Sequence, residues 1–203
     1  MSFGDLSTVA PVVLAVLTAA AVLVVDLVWP GRSPAAIATA LGGLAITAVA
    51  TIVIGSTPAT AFGGTYTVDA LTTFLDILFI AIVAFTIVFA PDYLLPRSLP
   101  IAEFAIVLIF AMTGAMLLAA STDLLLLFLG LELMVLPGYL LAGYHKADAY
   151  STEGAIKYFL LGSFSSAIFL FGLAFVWGLT GTTSVGGVAD ALAEIAAGDA
   201  PLS

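Results

Sequence analysis

The chain has 203 residues, 63% of them apolar and only 8% charged, and its mean hydropathy is +1.26; such a composition predicts an all-α integral membrane protein. With no cysteine and one histidine, it excludes a thiolate-held iron–sulfur cluster or zinc site, a disulfide and a bis-histidine haem, so any redox cofactor is expected in other chains and none in this one. Four Lys plus Arg against thirteen Asp plus Glu give a net charge of -9, which argues against nucleic acid or an anionic lipid surface as partner, and no glycine-rich loop offers a seat for a nucleotide.

Six apolar runs are long enough to cross a bilayer core, which takes about 20 helical residues. In chain order they cover residues 9–28, 34–54, 68–89, 101–120, 123–144 and 154–180. The first has no basic start, carries Asp5 ahead of it and runs into Trp29-Pro30-Gly31-Arg32, so it reads as a retained helix and not as a cleaved signal peptide. Turn formers separate the runs: Gly55-Ser56-Thr57-Pro58, Gly63-Gly64, and the stretch from Pro91 to Pro100. The division expected is three helices and their loops in residues 1–100, three more in 101–180, and a polar acidic tail in 181–203. Within that tail, Val188, Leu192 and Ile195 have the spacing of a short amphipathic helix.

Arg32 falls between the first and second helices, Arg97 between the third and fourth, and Lys146 between the fifth and sixth. These are alternate loops. Cytoplasmic loops retain the excess of Lys and Arg, so the pattern places these three loops in the cytoplasm and both termini outside a cell membrane.

An ionisable side chain in the hydrocarbon region is costly unless paired, protonated or hydrated, and so marks a candidate site. Glu132 lies near the middle of the fifth helix, in Leu126-Leu127-Phe128-Leu129-Gly130-Leu131-Glu132-Leu133-Met134. Desolvation disfavours its carboxylate, which suits a group that takes up and releases protons. Pro137 has no N–H to give the carbonyl of Leu133, inviting a kink and a water beside Glu132. The bland alternative is an acid that stays protonated and bonds a neighbouring helix. Lys157 opens the sixth helix, 5 to 8 Å deep at about 1.5 Å per residue, either to tune Glu132 or to snorkel. Asp76, inside the third helix, is a secondary candidate as a carboxylate on a water path or as an acid bonded to a neighbour. His145, beside Lys146, reads first as a loop histidine, although its titration range suits proton uptake. Asp69, Asp123 and Glu103 read as helix-end residues, and the small-residue run 162–167 as a packing surface.

Two stretches carry a resemblance: Gly130-Leu131-Glu132-Leu133-Met134-Val135-Leu136-Pro137, and Glu153-Gly154-Ala155-Ile156-Lys157-Tyr158-Phe159-Leu160. Both resemble the antiporter-like membrane subunits of respiratory complex I, and among them the subunit N group of NADH–quinone oxidoreductase. The resemblance implies a proton-translocating module driven by reduction of a quinone, by NADH or another donor, elsewhere in a complex. It further implies that Glu132 is the helix-five glutamate and Lys157 the helix-six lysine of a buried, hydrated axis. Such subunits have about fourteen helices, including two inverted repeats, and this sequence resembles only their first two fifths. The implied partners are therefore the lipid bilayer, the other membrane-arm subunits and a chain supplying the further helices. Two other readings stay open: a subunit of a multi-subunit cation/proton antiporter, and a non-pumping structural fragment.

Overall fold

A computed structural model describes residues 3–197. A short helix, α1 (Phe3–Thr8), leads into six long ones: α2 (Ala10–Val28), α3 (Ser33–Ile54), α4 (Ala70–Leu94), α5 (Ile101–Ala119), α6 (Leu124–Ala142) and α7 (Ala149–Thr180). These six are each long and apolar enough to cross a membrane. A last helix, α8 (Val185–Ala197), covers the amphipathic segment of the tail. Residues 198–203 of the expected tail, and both chain ends whose side was expected to be outside, fall outside the described residues.

Two helix ends differ from the sequence expectation. The third long helix does not stop at Phe89 but runs through Pro91 to Leu94. Ala90 and Leu94 are buried against Ile101, and this packing outweighs the hydrogen bond that a proline removes. The sixth begins at Ala149 and not at 154, because the Asp148 carboxylate accepts the Tyr150 N–H at 3.0 Å and caps it there.

Helix α5 is the centre of the bundle, packed on α2, α3, α4 and α6. Its neighbours meet through small residues, Ala15 and Ala19 on α2, Ala36 and Ala40 on α3, and Ala102 and Ala105 on α5 itself. Between apolar helices in lipid, this close backbone approach is what gains packing energy. Buried threonines satisfy themselves locally: Thr18, Thr47, Thr51 and Thr113 each donate to the carbonyl one turn back, at 2.8–2.9 Å. The outer faces of α4 and α7 carry exposed Phe, Leu and Ile, as surfaces turned to lipid or to further protein do.

Arg32, Arg97 and Lys146 fall at one end of the bundle, since successive helices alternate in direction. The other end holds something the sequence reading did not foresee, an antiparallel hairpin of β1 (Ala59–Ala61) and β2 (Tyr66–Val68), in the register Ala59 to Val68. Its turn has positive φ at Phe62, Gly63 and Gly64 in succession. The α5–α6 link joins it, with Thr67 N–H donating to the Ala120 carbonyl at 2.8 Å and Thr122 N–H to the Thr65 carbonyl at 3.0 Å. The segment after α7 then pairs with that link, Leu124 N–H donating to Thr183 at 2.8 Å and Val185 N–H to Thr122 at 3.0 Å. The connections thus satisfy one another's backbone groups at the helix ends.

Candidate functional site

The site begins with two glycines. A Cβ on Gly130 would come within 2.7 Å of the Leu118 backbone nitrogen and 3.0 Å of the Gly114 carbonyl oxygen, and a Cβ on Gly114 would strike the backbone of Leu133 and Met134. Only with both side chains absent can α5 and α6 touch backbone to backbone. This contact fixes the stretch of α6 that carries Glu132. Oε1 of Glu132 is buried and has no hydrogen-bond partner.

Helix α6 continues unbroken past the buried Pro137. Seven residues, two turns, beyond Glu132 stands Tyr139, 6% exposed, its hydroxyl also buried without a partner. Its ring meets Tyr158 edge-on at 4.8 Å and Phe159 at 5.6 Å. Gly162 leaves the space that the Tyr139 ring occupies. Glu132, Tyr158 and Ser166 are the polar groups whose electrostatics reach the Tyr139 hydroxyl. The sequence reading passed over Tyr139, although the spacing of seven that sets it on the face of Glu132 was there to be read.

The register of α6 against α7 follows from paired contacts. Gly143 lies against Ala155, Tyr139 against Tyr158 and Gly162, and Phe128 stacks on Phe169 at 6.2 Å. Glu132 is therefore level with Ser165 and Ser166. In the run 162–167, expected to be packing, Gly162 does pack on the Tyr139 ring and Ser166 reaches the Tyr139 hydroxyl.

Lys157 is level with Leu141, nine residues or about 13 Å along α6 from Glu132. Its ammonium pairs with Glu153, one turn back on α7, and the two side chains are 68% and 58% exposed. The structure thus separates Lys157 from Glu132 and places Tyr139 and Tyr158 between their levels. Although α7 starts five residues earlier than expected, Lys157 stays level with the last turn of α6, which ends at Ala142.

His145 lies in that loop, half-buried, and lines a cleft of about 420 Å³ with Tyr93, Phe104, Tyr144 and Asp148. Burial, and then the charge of Glu103, push the Tyr144 phenol up to about 12, so it remains a donor, and its hydroxyl donates to the Pro100 carbonyl. Asp123 caps α6, accepting the Leu125 N–H at 2.9 Å and the Thr183 hydroxyl at 2.6 Å. Asp69 caps α4. Glu103 lies in the first turn of α5 without capping it. Asp76 is buried on α4, far from Glu132 in the chain and on a different helix pair. Among the described residues, no group of three His, Asp or Glu is placed to hold a metal ion.

The bundle of six membrane-length helices, one of them with an unpaired carboxyl oxygen near its middle, defines a multi-pass membrane subunit. Residues 121–199 match the family described as NADH:quinone oxidoreductase/Mrp antiporter, transmembrane. NADH-quinone oxidoreductase subunit N of Geobacillus kaustophilus is 37% identical over 196 residues, covering 94% of this chain and 39% of that protein. F(420)H(2) dehydrogenase subunit N of Methanosarcina mazei is 43% identical over 126 residues, 62% of this chain and 25% of that one. A chain of respiratory complex I from Thermus thermophilus with bound aureothin superposes with a TM-score of 0.72 at 28% identity, covering 90% of this chain and 41% of that one. The chain is similar to the antiporter-like membrane subunits of complex I, subunit N among them. It spans about two fifths of the length of the curated relatives it matches.

Proposed function

We propose that this chain works in the membrane arm of a proton-translocating quinone oxidoreductase, with Glu132 as the group that takes up and releases the proton. The observation that carries this reading is the buried, partnerless Glu132 Oε1 in mid-helix. Among the described residues no cation stands beside it, and an ionisable group placed so within a membrane-length helix is suited to hold a proton and pass it on. Tyr139, Ser165 and Ser166 give that proton hydroxyl groups to move along toward Tyr158 and Lys157. Lys157 acts through this line and not by direct contact.

We assign the oxidation of NADH or another donor and the reduction of quinone to other subunits; in support, a chain without cysteine offers no thiolates to hold an iron–sulfur cluster. The exposed Glu153–Lys157 pair supports further protein on that side of α7, because two charges facing lipid tails are costly. The partners proposed are the other membrane-arm subunits and the helices that relatives carry beyond this region, whether from this gene or another. The compartment proposed is the cell membrane.

The test is Glu132→Gln in the assembled complex in native inverted vesicles. Quinone-coupled proton uptake should fall by roughly a hundredfold or more, the scale of losing one acid–base group, and Glu132→Asp should restore part of it. Unchanged uptake, with the variant proven present in the complex, overturns the assignment and leaves a structural role. The family description also covers Mrp antiporters, which favours one second reading, a cation/proton antiporter subunit. Sodium-driven proton exchange in vesicles without quinone turnover would decide for it.

A further inference from the structure

A second carboxyl group is enclosed in the bundle, away from the α6–α7 line. Asp76 is 3% exposed, and its Oδ1 is buried with no hydrogen-bond partner. It lies six residues inside α4, and Thr113 lies six residues from the end of α5 and Thr47 seven from the end of α3. The three are thus at one level, about 10 Å below the hairpin. Both threonines are buried, and α3, α4 and α5 pack on one another.

The hydroxyl protons of Thr47 and Thr113 are already given to their own helices, to Gly43 at 2.9 Å and Ile109 at 2.8 Å. What these side chains still offer is lone pairs. At its level an ionised Asp76 would find in these two hydroxyls acceptors and no donor, and among the described residues no cation stands there: Arg32 and Arg97 lie at the opposite end of the bundle, Lys146 in the α6–α7 loop and Lys157 on α7. A neutral Asp76 supplies the O–H donor that this surface lacks.

The way out also lies along α4. Asp69, Thr72 and Asp76, spaced three and four residues apart, share one face of the helix. The Thr72 hydroxyl donates to Asp69 Oδ1 at 2.9 Å. Asp69 is exposed, and the Thr72 N–H and hydroxyl hold its carboxyl below the usual range, so it passes a proton readily to water. The other titratable group facing Asp76 is Tyr66 of the hairpin, whose phenol burial and the Asp76 charge push up so that it keeps its proton. α3 contributes no titratable side chain, and α5 only Glu103, at its far end.

We propose that Asp76 is a proton-binding site separate from Glu132, opening to the hairpin end of the bundle through Thr72 and Asp69. In the outward step the Asp76 O–H breaks as its proton goes to Thr72 Oγ1. Thr72 gives its own hydroxyl proton to Asp69 Oδ1, and Asp69 gives it to water. One proton moves, Thr72 stays neutral, and Asp76 is left as the carboxylate until it is refilled.

The experiment is infrared difference spectroscopy of the full chain in lipid nanodiscs, recorded during pH titration and during exchange into D2O. The wild type should show the carbonyl stretch of a buried carboxylic acid that disappears as pH rises. That band should vanish in Asp76→Asn and persist in Glu132→Gln. Thr72→Val keeps Asp76 and breaks the ladder, so it should retain the band and slow its D2O shift by about a hundredfold, the lower end of what one positioned proton-transfer group contributes. No band lost in Asp76→Asn, a band that never titrates, exchange unaffected by Thr72→Val, or displacement of the proton by added sodium would each overturn the proposal. If Asp76→Asn does not fold, the Thr72→Val exchange rate decides alone.

Discussion

At the scale of single residues, the most informative side chain is one with no satisfied partner. Tyr139 buries a hydroxyl with no close hydrogen-bond partner, Ser166 being the side chain placed to bond it at longer range, and an unsatisfied buried group costs about 1–3 kcal/mol relative to a satisfied one. If Tyr139 served only to fill space, phenylalanine would do better. Tyr139→Phe should therefore leave resistance to denaturation unchanged or higher, while lowering proton uptake by the assembled complex and shifting its pH profile. A loss of stability with uptake intact would mark the hydroxyl as structural. Glu132 and Asp76 were legible in the sequence, because a charge amid apolar residues is conspicuous wherever it stands. The distance from Lys157 to Glu132 was not, since it depends on the α6–α7 register, which the Gly143–Ala155 and Tyr139–Gly162 contacts set.

At the scale of elements, the α5–α6 pair holds the site in place, and its closeness depends on missing atoms. Gly130 faces backbone, which cannot rotate away, so Gly130→Ala should destabilise the chain by about 1–3 kcal/mol, the usual cost of overpacking. Gly172, on α7, has nothing within 4 Å of where a Cβ would stand, and Gly172→Ala should be neutral or slightly stabilising, as alanine is in an open helix. Unfolding in graded denaturant with both variants side by side checks the contrast; equal losses would show that helix composition, not contact, is responsible. Helix number and most boundaries followed from hydropathy, because the bilayer sets helix length. The hairpin did not. Its strands are three residues each, and what fixes them is pairing with residues 120–122, some 50 positions further along the chain, which local pattern cannot report. The extension of α4 through Pro91 escaped for a similar reason, since tertiary burial of Ala90 and Leu94 overrode the proline.

At the scale of the whole molecule, the two ends of the bundle differ in kind. One holds Arg32, Arg97 and Lys146, and the other is closed by hairpin, links and acidic caps, with Asp69 and Asp123 on it. From the excess of cations that cytoplasmic loops carry we propose that the first end faces inward, which would set the direction in which each proposed proton group works. The Asp76 ladder then opens outward, and the His145 cleft, beside Lys146, inward. The absence of native cysteine makes the orientation directly measurable. Ala147→Cys, in the exposed α6–α7 loop, and Thr57→Cys, exposed ahead of the hairpin, each give a single thiol. In right-side-out vesicles a membrane-impermeant maleimide should label Thr57→Cys at once and Ala147→Cys only after the membrane is opened. The reverse pattern would invert the bundle and turn the Asp76 exit into a cytoplasmic entrance. Labelling of both from one side would mean that the chain does not cross the membrane an odd number of times between them, against the three spans α4, α5 and α6.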